Sequence, residues 1–171
     1  MGTSQIKLIS GDITKMQVDA IVNAANRTLL GGGGVDGAIH RAAGHELLKA
    51  CMQLNGCLTG SAKITKGYKL PAKFVIHAVG PVWRGGNDHE PELLKSCYET
   101  ALKLAADNNC KSLAFPNIST GIYRFPKELA AEIAIKTVKE FLSENNLPEE
   151  VYFVCYDAQN LVTYQRQLKS K

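Results

Sequence analysis

The sequence has no uninterrupted apolar run near the roughly 18 residues a spanning helix needs, which argues against a membrane protein. Its start, Met1 to Lys7, is polar and lacks the apolar stretch of a secretory signal, so a cytoplasmic location is expected. The five cysteines, Cys51, Cys57, Cys97, Cys110 and Cys155, are odd in number and never spaced as CxxC. Neither a disulfide framework nor a zinc site is indicated, and reduced, partly buried thiols are expected. Lys and Arg are spread along the chain rather than clustered, so the net charge of +4 suits an anionic ligand without indicating nucleic acid. Repeats, low-complexity tracts and linkers are also missing, and 171 residues are too few for two ordinary domains, so one domain over residues 1–171 is expected. The 45% apolar and 21% charged content is that of a globular protein able to bury a core.

Strand-like runs alternate with helical patterns. The strands are expected at Ile6 to Ser10, Asp19 to Ala24, Ala62 to Lys66, Phe74 to Val79, Ser112 to Pro116 and Val151 to Cys155. Helical patterns follow at Val35 to Ala43, at Glu92 to Asn108 with Pro91 just before it, after Pro126 as far as Asn145, and from Ala158 to Leu168. Apolar strands separated by helices predict a three-layer α/β/α domain with a mixed, mostly parallel sheet. Ligands of such sheets bind beyond the carboxyl ends of the strands, which directs attention to the loops Asn26 to Gly34 and Asn117 to Phe125.

Gly31, Gly32, Gly33 and Gly34 form an unbroken run between a strand and a helix. Such a run carries a large entropic cost unless the backbone must approach something closely, and a phosphate cradle of converging N–H groups would explain it, as would a flexible turn. A P-loop requires Lys and Ser or Thr after the last glycine, whereas Ala38 and Ile39 follow Gly37. Gly32, Gly34 and Gly37 satisfy GxGxxG, but no acidic residue stands near Met52 to Cys57 to hold a ribose, which weakens a nicotinamide-dependent oxidoreductase.

A third reading draws on more of the chain. The blocks Gly11-Asp12-Ile13-Thr14, Val18-Asp19-Ala20-Ile21-Val22-Asn23-Ala24-Ala25-Asn26 and Gly31-Gly32-Gly33-Gly34-Val35-Asp36-Gly37-Ala38-Ile39-His40 resemble the macro domain family, MacroD type. His77-Ala78-Val79-Gly80-Pro81-Val82-Trp83, Pro116-Asn117-Ile118-Ser119-Thr120-Gly121-Ile122-Tyr123 and Val151 to Asp157 resemble its later blocks, as found in bacterial O-acetyl-ADP-ribose deacetylases. The resemblance implies an ADP-ribose cleft across the strand tops. Asp12 and the backbone of Ile13 would meet adenine, and Tyr156 would stack on it. Gly32, Gly33, Gly34 and Val35 would face Ser119, Thr120, Gly121 and Ile122 across the diphosphate, with Tyr123 against the distal ribose.

Asn26, Asp36 and Tyr123 are the catalytic candidates. Asn26 would bind a ribose hydroxyl, and Asp36 would orient or deprotonate a water, unless a ligand phosphate activates it. Plainer roles stand beside these: Asp12 capping a helical turn through Lys15, Tyr156 in the core, and Asp36 as a carboxylate favoured by a helix dipole that lowers its pKa. Asn23 is expected to brace the first loop. His40 and His77 lie in no GxSxG-type hydrolase motif and are expected to be structural, while His45 and His89 look like surface residues. Arg124 replaces a glycine common among relatives and either reaches toward phosphate or an acidic protein face, or points into water. The expected function is hydrolysis of O-acetyl-ADP-ribose and of ADP-ribose esters on acidic side chains of mono-ADP-ribosylated proteins, with no metal and no cofactor. The alternative is a reader module that binds ADP-ribose without turnover.

Overall fold

The computed structural model describes residues 5–169; Met1 to Ser4 of the polar N-terminal run lie outside the described residues. A six-stranded sheet runs in the order β1-β6-β5-β2-β4-β3, formed by β1 (Gln5–Ser10), β2 (Ala20–Ala25), β3 (Ala62–Lys66), β4 (Phe74–Val79), β5 (Ser112–Phe115) and β6 (Glu150–Cys155). All neighbours are parallel except β3, which lies antiparallel on β4 at one edge. The expected three-layer α/β/α architecture with a mixed, mostly parallel sheet is therefore what the chain adopts.

Period-two alternation sends the residues of the four inner strands to two different cores. Ala20 and Val22 of β2, Ile76 and Ala78 of β4, and Phe115 and Phe153 pack under α3 (Glu90–Asp107), α4 (Lys127–Glu144) and α5 (Ala158–Lys169). On the opposite face Ile21, Ala25, Val75 and Val79 pack under α1 (Gly34–Ala43) and α2 (His45–Gln53), which supply Ile39, Ala43, Leu47 and Cys51. All five cysteines are buried free thiols, as expected from their spacing.

Several element ends fall a residue or two from expectation, and three differences are informative. Helix α3 begins at Glu90, with Pro91 inside its first turn, where a missing N–H costs nothing. Strand β2 is shifted one residue, to Ala25. Helix α2 was not anticipated, because a single residue, Gly44 at φ +91°, separates it from α1 and leaves one polar-apolar stretch with no visible break.

Candidate functional site

A cleft of about 720 Å³ opens above the carboxyl ends of the parallel strands. Its walls are the two loops singled out in the sequence, with Gly11 to Ile13 after β1, Gly80 after β4, and Val154 to Asp157 closing the far end. Every proposed contact residue lines it: Asp12, Ile13, Asn26, Gly32, Gly33, Gly34, Val35, Asp36, Ser119, Thr120, Gly121, Ile122, Tyr123 and Tyr156. Arg41 is the one lysine or arginine among the lining residues, so preorganised amide dipoles are the main resource for an anion there.

Gly33 caps the N-terminus of α1, whose first-turn N–H groups have no partner inside the helix. Gly32 sits between two of the three catalytic candidates: a Cβ there would be 3.2 Å from Asp36 Oδ2 and 3.4 Å from Asn26 Nδ2. The side chains of Asn26 and Asp36 thus converge over one glycine, as their flanking positions suggested. Asn26 also holds its own loop, with Nδ2 donating to Gly31 O at 3.0 Å and Oδ1 accepting from Thr28 Oγ1 at 2.8 Å and Leu29 N at 3.1 Å.

Asp36 is 4% exposed. Asn23 Nδ2 donates to its Oδ1 at 2.8 Å, and His40 Nε2 lies 3.5 Å from the same oxygen. Burial pushes the Asp36 pKa up, against the Asn23 hydrogen bond and the His40 charge that pull it down. This corrects the expectation from the helix dipole: a terminal dipole is a fraction of a charge, and desolvation in a packed layer outweighs it. Asn23, expected only to brace the loop, touches the carboxylate directly.

The second loop is closed on itself by two backbone hydrogen bonds and tied to the body by a third. Phe125 N donates to Ser119 O at 2.8 Å, Arg124 N to Gly121 O at 3.0 Å, and Trp83 N to Tyr123 O at 2.8 Å. Ser119 is buried in the left-handed region at φ +68°. Its close approach to β4 requires Gly80, where a Cβ would fall 2.2 Å from Ser119 Oγ. Arg124 is exposed at φ +61° and lies outside the cleft wall, so it points into water, and its backbone conformation accounts for a preference for glycine there.

At the far end, Asp12 does cap the 3-10 turn Ile13–Lys15. Its Oδ1 accepts from Thr14 Oγ1 at 2.7 Å and Thr14 N at 2.9 Å, and these bonds, the hydroxyl's first, hold the carboxyl below its usual range. Both bonds use Oδ1, so capping and ligand contact through Oδ2 are compatible. Tyr156 is 88% exposed, which rules out a core role and leaves a flat face at the cleft edge.

His77 is fully buried and His40 packs beside it, with ring centroids 6.4 Å apart, whereas His45 and His89 are exposed. Sequence reasoning missed Arg41, Gly80, Asn117 and Asn160 as lining residues. Asn160 is buried in the first turn of α5, donating from its amide nitrogen to Asp157 Oδ2 at 2.9 Å. The available signal was Asp157 three positions before a polar residue at a helix start.

A family model described as Macro domain matches residues 22–134. An O-acetyl-ADP-ribose deacetylase of Enterobacter sp. is 60% identical over 168 residues, covering 96% of this chain and 93% of the relative. The Oceanobacillus iheyensis macrodomain with ADP superposes with a TM-score of 0.94 at 45% identity, over 98% of this chain and 92% of that one. The Trypanosoma brucei macrodomain in complex with ADP-ribose gives 0.89 at 45% identity, over 95% of this chain and 68% of that one.

Proposed function

This chain belongs to the macro domain family, and on that premise we propose that it binds ADP-ribose and hydrolyses esters at the distal ribose. The proposed substrates are O-acetyl-ADP-ribose and ADP-ribose joined to acidic side chains of mono-ADP-ribosylated proteins, turned over in the cytoplasm by one MacroD-type domain without a metal. The observation that carries the reading is the convergence of Asn26 and a buried Asp36 carboxylate over Gly32, at one end of a cleft long enough for a nucleoside diphosphate sugar.

The backbone N–H groups of Gly32 to Val35 and of Ser119 to Ile122 hold the diphosphate from two sides, Asp12, Ile13 and Tyr156 hold adenine, and Tyr123 closes over the distal ribose. Asn26 fixes a ribose hydroxyl. Water held by Asp36 adds to the acyl carbonyl, the ester C–O bond breaks, and the released ribose oxygen takes up the proton that the water gives up. A carboxylate with a raised pKa is a better proton acceptor than an ordinary aspartate, which favours direct participation by Asp36 over a purely orienting role. The similarity to proteins named O-acetyl-ADP-ribose deacetylase supports the acetyl ester as one substrate. A reader module would need a cleft but no buried carboxylate beside the ribose.

The test is a calorimetric titration with ADP-ribose and with AMP, then product analysis with O-acetyl-ADP-ribose and an ADP-ribosylated protein after exhaustive chelation. ADP-ribose should bind far more tightly than AMP, and acetate and free ADP-ribose should be released. Binding without either product would leave the reader, and recovery of activity only on adding metal would overturn the metal-free chemistry.

A further inference from the structure

The layer between the sheet and α1 and α2 is apolar except at one spot. Strand pairing sets Asn23 of β2 directly opposite His77 of β4, both fully buried, at positions where the same face otherwise carries Ile21, Ala25, Val75 and Val79. Two polar side chains in such a layer are costly unless bonded. Their bonds form a directed chain. Asn23 Nδ2 has two hydrogens, one donated to Asp36 Oδ1 at 2.8 Å and the other facing His77 Nδ1 at 3.2 Å. Nδ1 must therefore accept, so the ring proton sits on Nε2, which lies 3.0 Å from Thr65 Oγ1 and 3.7 Å from Cys51 Sγ.

We propose that His77 and Asn23 are positioning residues, which hold the Asp36 carboxylate ionised and in one orientation for the reaction. The inference rests on the reading of Asp36 as the group that holds the attacking water. The physical argument is the amide's orientation. Asn23 Oδ1 has no hydrogen-bond partner, so the amide's orientation rests on what its nitrogen faces, Asp36 and His77. In the flipped form Oδ1 would face both a carboxylate and a ring nitrogen, acceptor against acceptor. His77 Nδ1 thus adds to the carboxylate in excluding the flip and keeps a donor on Asp36.

A neutral ring is required for this, and burial together with the neighbouring His40 holds the His77 pKa down to about 3. The other titratable groups facing the pair are His40 of α1, 3.5 Å from Asp36, and Cys51 of α2, whose thiol is pushed up to about 11 by burial and by Asp36 itself. A neutral thiol and a neutral His77 leave the Asn23 amide as the constant donor to Asp36.

The experiment reads Asp36 directly. Carbon-13 NMR of the side-chain carboxyl, assigned by its loss in Asp36→Asn, gives its titration midpoint in each folded variant alongside the pH profile of kcat/KM for O-acetyl-ADP-ribose. Asn23→Ala should raise the midpoint by about one pH unit, and His77→Gln should do the same by removing the acceptor at the Nδ1 position. His77→Asn, which keeps an acceptor there, should stay at the wild-type value, and the acid limb of the profile should follow the midpoint. An unchanged midpoint in a folded Asn23→Ala or His77→Gln protein overturns the inference, as does an equal shift in His77→Asn. If the midpoints move as expected but Asp36→Ala leaves turnover intact, the positioning stands and the reading of Asp36 as the water-holding group fails.

Discussion

Gly37 and Gly32 touch across the first turn of α1: a Cβ on Gly37 would lie 2.4 Å from the Gly32 carbonyl oxygen. The contact seats the glycine loop on the helix and fixes where its N–H groups point. Gly37→Ala must push that backbone away, so ADP-ribose affinity is expected to fall at least about tenfold, as preorganised donors are lost. Calorimetry on a variant shown to be folded by circular dichroism checks this. An unchanged dissociation constant would mean that the loop geometry does not hold the diphosphate.

Asp12 serves its own turn as well as the cleft. Asp12→Ala should weaken ADP-ribose binding by about 1 to 3 kcal/mol through loss of a charge-assisted hydrogen bond. It should also lower stability by about 0.5 to 2 kcal/mol through loss of the cap. Thr14→Val, which removes one capping donor and no carboxylate, should show the stability loss without most of the binding loss. If both variants weaken binding equally, Asp12 acts only by shaping the turn.

How far the sequence reveals this molecule follows from the range of each signal. Strands β3 and β4 are legible to the residue because β-branched runs end at Gly67 and Gly80, and the six strands with four of the five helices follow from periodicity alone. Helix α2 is not legible, since one glycine is too short a break to separate two helices. The cleft residues of the glycine run and of Ser119 to Tyr123 are legible because they cluster in two loops at strand ends, whereas Asp12, Ile13 and Tyr156 stand out only through the family resemblance. The Asn23 and His77 pair is harder, since its signal is a polar residue at the buried parity of two strands whose pairing only the fold supplies. The raised pKa of Asp36 is hidden for the same reason: a helix start is visible locally, whereas burial depends on β2, β4 and α2 closing around it.

Glu90 gives the fold a defined acid sensitivity. Its carboxylate accepts from Arg84 N and Asp88 N, each at 2.7 Å, and from Gly86 N at 3.0 Å, fastening the segment that carries Trp83 to Tyr123. Desolvation alone would raise its pKa, but the backbone donors together hold it down to about 2. A carboxylate with a depressed folded pKa contributes stability above its unfolded value and loses it as pH falls toward the folded one. Glu90→Gln should therefore be less stable than wild type at pH 7, with the gap closing between about pH 4.5 and pH 2. Denaturant melts across that range are the measurement, and a gap independent of pH would show that the charge is not what holds the segment.

Asp36 carries the opposite sign, and that sets chemistry against stability at one residue. Its folded pKa is raised by burial, so its stabilising contribution is complete below the unfolded pKa and is lost as pH rises through the folded value. At neutral pH the ionised side chain is a cost that the fold carries. Asp36→Asn removes the charge at nearly constant volume and keeps an oxygen for the Asn23 donor, so at pH 7 it should melt higher by about 2 to 4 °C, as expected for roughly 1 kcal/mol in a chain of this size. The same change should lower kcat on O-acetyl-ADP-ribose by about 10² to 10⁴, while ADP-ribose binding largely persists, because the diphosphate and adenine contacts lie elsewhere. Adding Asn26→Ala should cost less than the product of the two single effects, since both side chains serve one ribose and one water. Thermal melts at pH 4 and pH 7 separate the terms, because the stability gain should shrink at the lower pH. A variant that loses binding and turnover together would instead show that Asp36 shapes the loop, and one that melts lower at pH 7 would show that its hydrogen bonds outweigh its burial.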